Sequence, residues 1–138
     1  MPHQIVEYSA NLEEKVDIDA LITHLHEAVA GIDAFPLAAL RTRAAPRMRY
    51  RIADDHPDNA FVHVLLRIAA GRSMEQKKTA GEAIFAALCE FLESVQTAGP
   101  LGISFEMQEI DPELRWKSNN LPYYLAKRSE APAGGGVS

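Results

Sequence analysis

The sequence predicts an α+β fold built from two tandem β-α-β units, and three observations predict it. Strand-like and helix-like periodicities follow one another as strand–helix–strand, and that order occurs twice within 138 residues. Each helical segment carries one apolar stripe, so both helices should cover the same face of one sheet. The length suits a single domain and leaves no third layer for the opposite face, which points to self-association as the way to hide it.

Each element has its own justification. Residues 3–8 alternate as a strand, with His3, Ile5 and Glu7 on one side and Gln4, Val6 and Tyr8 on the other. Residues 17–30 form a helix: Asp17 suits the N-cap, and Ile18, Leu21, Ile22, Leu25, Ala28 and Val29 fall on one stripe. Gly31 suits the end of that helix. A strand is expected over 38–44, then an interruption at Pro46, a second extended piece to about residue 53 and a turn at HPDN. The second unit opens with AFVHVLLRIA, residues 60–69, where Val62, Val64, Leu66 and Ile68 share a face. After the AGRS loop, Ser73 and Gln76 have the spacing of a capping box. The helix they open should run to about residue 96 and bury Ala80, Ala83, Ile84, Ala87, Phe91 and Val95. GPLG breaks the chain before a last strand over 102–110. The domain is therefore read as residues 1–128, in halves of about 2–56 and 57–128, with 129–138 as a flexible tail because SEAPAGGGVS lacks apolar periodicity.

Composition removes several classes of function. Hydrophobic residues are 47% and charged residues 24%, which is ordinary for a globular domain. A net charge of −5 argues against nucleic acid as a partner, because phosphate contacts need a basic surface. No apolar run reaches the length of a membrane helix, and the N-terminal segment, with Glu7, Glu13 and Glu14, does not resemble a signal peptide. Cys89 is the only cysteine, so no internal disulfide forms and the cytoplasm is the expected compartment.

Most candidate chemistry is weak. His24 and His26 lie two apart on a helix and do not share a face, so they read as surface residues rather than metal ligands. Cys89, mid-helix among apolar neighbours, reads as a buried structural thiol. His63 reads as a hydrogen-bonded core histidine, and no phosphate-binding glycine motif occurs. Arginine stands out instead. Arg41, Arg43, Arg47, Arg49 and Arg51 all occupy odd positions and would share a face in an unbroken strand, as a solvated basic face or an anion site. Arg72 precedes a capped helix start, where its fork suits a carboxylate. Pro2 has two readings. It is tolerated as the first residue of a strand, and after removal of Met1 its secondary amine would be a base or nucleophile on a rigid strand.

Four segments, MPHQIVEYSANL, FPLAALRTR, FVHVLLRIAAGRSMEQKKTAGEAIFAAL and SFEMQEIDPEL, together resemble the 5-carboxymethyl-2-hydroxymuconate delta-isomerase family of the tautomerase superfamily, over roughly residues 2–127. The resemblance implies a mixed sheet, a homotrimer and a catalytic N-terminal proline, which falls on Pro2. It places the substrate-binding arginines on Arg41 and Arg72 and leaves Arg43 a supporting role. The implied reaction moves a proton between the enol oxygen and a carbon of an unsaturated polycarboxylate in homoprotocatechuate catabolism, with no metal, redox cofactor or covalent intermediate. If Met1 is kept, Pro2 has an amide nitrogen and cannot be the base. Residues 44–57, Tyr123, Tyr124 and the tail match the family poorly. The alternatives are a superfamily relative acting on another 2-hydroxydienoate, a decarboxylase-like or dehalogenase-like enzyme, and a non-catalytic trimeric anion-binding protein.

Overall fold

A computed structural model describes residues 2–130. Four strands, β1 (His3–Ser9), β2 (Arg41–Arg47), β3 (Ala60–Ala69) and β4 (Leu101–Ile110), form one sheet in the order β2-β1-β3-β4. β1 pairs parallel to β2, and β3 pairs parallel to β4. The two parallel pairs join through the antiparallel pair β1–β3. The sheet is therefore mixed, and each parallel pair is one β-α-β unit. α1 (Ile18–Ala30) is the crossover of the first unit; α2 (Met74–Phe91) and α3 (Glu93–Ala98) are the crossover of the second.

Alternation in the strands decides which face the helices cover. Val6 and Tyr8 of β1 and Val62, Val64, Leu66 and Ile68 of β3 are buried under Leu21, Leu25 and Val29 of α1 and Ile84 and Leu88 of α2. Phe105 packs against both halves of this core. Gln4 is the polar exception: its amide donates to Leu25 O (3.2 Å) and Thr42 Oγ1 (3.1 Å), tying β1 to α1 and β2. Among the described residues, no helix is long and apolar enough to cross a membrane.

Several expectations need correction. The strand expected over 38–44 begins at Arg41, after a 3₁₀ turn at Leu37–Ala39, and continues through Pro46, which pairs with Tyr8. β2 is an edge strand, where a proline is tolerated. No strand follows to residue 53. The chain turns instead at Ala53 (φ 52°) and Asp55 (φ 63°), and Asn59 ties the loop with bonds to Ile52 O and Asp54. The long helix expected up to residue 96 divides at Leu92, and Leu88 and Leu92 are buried while Ala83 is exposed. Gly31 ends α1 without a left-handed turn, at φ −75°. A further helix, α4 (Leu121–Ser129), reaches into the segment expected to be tail; residues 131–138 of that segment lie outside the described residues.

Candidate functional site

One end of the sheet collects four chain ends: the starts of the parallel strands β1 and β2 and the finishes of β3 and β4. The registers make this explicit. His3 stands opposite Arg41 on one side and Arg67 on the other, and Ala69 stands opposite Ile110. Pro2, Arg41 and Arg72 are all placed at this end by the topology alone.

Pro2 is buried, and its carbonyl accepts a hydrogen bond from Arg41 N at 3.1 Å. The first residue of β2 is thereby fixed to the residue that precedes β1. Arg41 is half-buried, and its Nη1 donates to Ala39 O (2.9 Å), which holds the guanidinium against its own strand start. Arg72 approaches from the helix-covered side. Gly71 turns the chain with φ 121°, a conformation that favours glycine. The Arg72 guanidinium lies over the Phe35 ring at 4.7 Å and donates to Ala69 O (3.1 Å) and to Ala34 O. The capping box of Ser73 and Gln76 is fully formed immediately after it. Both forks are thus anchored by main-chain carbonyls, leaving further N–H groups for a ligand.

Arg43 is exposed and reaches His3 rather than Pro2, with Nη1 at 3.2 Å from His3 Nδ1. Burial lowers the His3 pKa below the usual histidine value, and the charges of Arg43, Arg41 and Arg67 lower it further. The strand mouth therefore gathers cationic side chains on an acidic chain. Arg67 was missed in the sequence reading. Its signal was the alternation in β3, which places it on the face opposite Leu66 and Ile68, but only the β1–β3 register shows that it meets His3. The arginine run does not act as one row: Arg41, Arg43 and Arg47 lie on β2, whereas Arg49 and Arg51 lie in the following loop.

The other candidates are structural, with three readings corrected. His24 and His26 are half-buried rather than surface residues. His24 Nε2 contacts Ala87 O (3.2 Å) and its ring lies 5.1 Å from Phe91, while His26 Nδ1 bonds Thr42 Oγ1 at 2.8 Å. His63 is not in the core. It lies on the face the helices leave open, bonded to Ser104 Oγ (2.6 Å) and Glu106 (3.0 Å). Cys89 is half-buried rather than fully buried.

The chain is similar to known proteins over most of its length. The family model for 5-carboxymethyl-2-hydroxymuconate isomerase matches residues 2–125. The chain is 37% identical over 121 residues to a 5-carboxymethyl-2-hydroxymuconate Delta-isomerase of Escherichia coli, covering 88% of this chain and 96% of that protein. It superimposes on the crystal structure of a 5-carboxymethyl-2-hydroxymuconate isomerase from Deinococcus radiodurans R1 with TM-score 0.83 and 37% identity, over 90% of this chain and 93% of the other. A second crystal structure, of a 5-carboxymethyl-2-hydroxymuconate delta-isomerase, matches with TM-score 0.83 at 28% identity, over 91% and 93% of the two chains.

Proposed function

The chain belongs to the 5-carboxymethyl-2-hydroxymuconate isomerase family, and from that premise we infer how it works as an isomerase of aromatic catabolism. The substrate is the enol of an unsaturated polycarboxylate, most simply 5-carboxymethyl-2-hydroxymuconate itself. With Met1 removed, the neutral Pro2 amine takes the enol proton, giving a dienolate and a protonated amine. The same amine then delivers the proton to carbon, which yields the ketone and restores the base. Arg41 and Arg72 hold substrate carboxylates and stabilise negative charge on the dienolate oxygen, and Arg43 supports them from the rim.

The observation that carries this reading is the convergence of Pro2, Arg41 and Arg72 at one sheet end, with Pro2 O bonded to Arg41 N. A base must be neutral near pH 7 and must then act as an acid. An ordinary terminal amine has a pKa of about 7.7–8.0, and a secondary amine is more basic. Burial and the arginines that lower the His3 pKa would act on a Pro2 amine in the same direction. The catalytic unit is the domain read as residues 1–128, less Met1, working as a homotrimer in the cytoplasm.

The test compares one preparation with a free Pro2 and a second carrying an extension before it. Turnover of the enol, followed by ultraviolet absorbance, should nearly vanish in the extended protein, since an amide nitrogen is no base. Circular dichroism and sedimentation should be unchanged. In the free form, kcat/KM should fall on the acid side as Pro2 takes up a proton. Equal activity in the two preparations would remove Pro2 from the mechanism.

A further inference from the structure

The end of the sheet that holds Pro2 is also crossed by the chain leaving β4. β4 finishes at Ile110 beside Ala69, on the far edge of the sheet from β2. Eleven residues later α4 begins, and α4 packs against the 3₁₀ turn Leu37–Ala39 that leads into Arg41. Residues 111–120 therefore pass from the β4 edge toward the β2 side at the end where β1 starts. The path is braced at its origin, where Asp111 caps a short turn by accepting from Glu113 N at 2.9 Å.

Arg115 lies midway along this crossing. It is half-buried, and its Nη2, shielded from water, has no hydrogen-bond partner among the described residues. A guanidinium N–H removed from water without an acceptor is costly, more so than a neutral donor. Such a group fits a place where an anion completes it. On the isomerase reading above, the substrate's name implies two muconate carboxylates and a third on the carboxymethyl arm. Arg41 and Arg72 supply two forks for three carboxylates.

We propose that Arg115 binds the third carboxylate and so selects tricarboxylate enols over dicarboxylate ones. The claim rests on the isomerase reading, but binding tests it separately from turnover. The probes are propane-1,2,3-tricarboxylate and glutarate, saturated acids with no enol to convert, titrated by calorimetry into the wild-type protein and into Arg115→Gln and Arg115→Lys. Wild type should prefer the tricarboxylate. Arg115→Gln should lose roughly 10- to 100-fold in affinity for it, the worth of a charge-assisted hydrogen bond, with little change for glutarate. Arg115→Lys should recover part of the loss. On 5-carboxymethyl-2-hydroxymuconate the glutamine variant should raise KM while kcat stays near wild type, and on 2-hydroxymuconate neither should move. Equal weakening of both acids, no weakening of either, or a change in oligomer mass instead of a change in selectivity would overturn the proposal. Absence of wild-type turnover on both enols would overturn the isomerase reading, while the calorimetric preference would still decide the role of Arg115.

Discussion

An arginine that must hold a substrate carboxylate is useful only if no carboxylate of its own protein occupies it first. Among the described residues, the ion pairs involve Arg47 with Glu7 and Arg51 with Asp55, but not Arg41 or Arg72. Those two are oriented by neutral carbonyls, and Arg72 also by the Phe35 ring. Their charge stays available while their geometry is fixed. Arg72→Ala and Arg41→Ala should therefore each lower kcat/KM, by about 10²–10³ if the site is enclosed. Arg72→Lys should not rescue fully, because an ammonium has neither the fork nor the planar face that stacks on Phe35. Steady-state kinetics on a polycarboxylate enol would measure both, and near-wild-type values in both alanine variants would dissociate these residues from the site. Sequence reading reached Arg41 only through resemblance, spacing alone leaving it a member of a basic run, whereas Arg72 also stood out by its place before a capped helix start. Arg67 and Arg115 were not legible, because their importance depends on strand register and on burial of one nitrogen atom, and neither has a local signature.

At the level of elements, the periodic ones were legible and the connected ones were not. β1, β3, α1 and the start of α2 follow the expected boundaries within one residue because each has a clean two- or 3.6-residue repeat and, for the helices, a cap. The segment 48–53 alternates as a strand would, yet the chain leaves the sheet and turns, because side-chain bonds from Asn59 and left-handed Ala53 and Asp55 outweigh the pattern. α4 escaped notice because it is only nine residues long and its apolar residues Leu121, Tyr123, Tyr124 and Leu125 all remain partly exposed. The capping box was visible in sequence and has a consequence for the site. Ser73 Oγ accepts from Gln76 N at 3.1 Å, and Gln76 Oε1 accepts from Ser73 N at 2.9 Å. Ser73→Ala breaks the first of these bonds next to Arg72, and should lower stability by about 1 kcal/mol. Thermal unfolding should record this as a drop of a few degrees. A larger fractional loss in kcat/KM than in folded protein would show that the cap also positions Arg72. An unchanged melting temperature would mean the helix start is held by other contacts.

For the whole molecule, the helices leave one sheet face uncovered, and its composition determines how it can be hidden. Ile5, Phe61 and Leu65 lie along its middle strands, half-buried even in the single chain. Around them Glu7 and Arg67 carry charges of both signs on the middle strands, while the two edges differ. Arg43 and Arg47 lie on β2 at one edge, while Glu106, bonded to His63, lies on β4 at the other. A face that is basic at one edge and acidic at the opposite edge suits contact between unlike edges. A two-fold dimer that stacked the same edges on each other would place like charges together. Head-to-tail contact between unlike edges generates a closed ring when the rotation allows, and a trimer is such a ring. On the homotrimer proposed from the family resemblance, sedimentation at micromolar concentration should give three times the chain mass. Glu106→Lys should weaken assembly by setting like charge against the β2 edge of the neighbour, and it should do so more at low salt than at high salt, since exposed charges are screened. His63 would lose its carboxylate partner in the same variant, so His63→Gln serves as the control that breaks that bond without reversing the charge. If His63→Gln dissociated the protein as fully as Glu106→Lys, the local bond rather than the opposed edges would hold the ring together; a wild-type protein that sedimented as a stable monomer would leave the uncovered face without its partner.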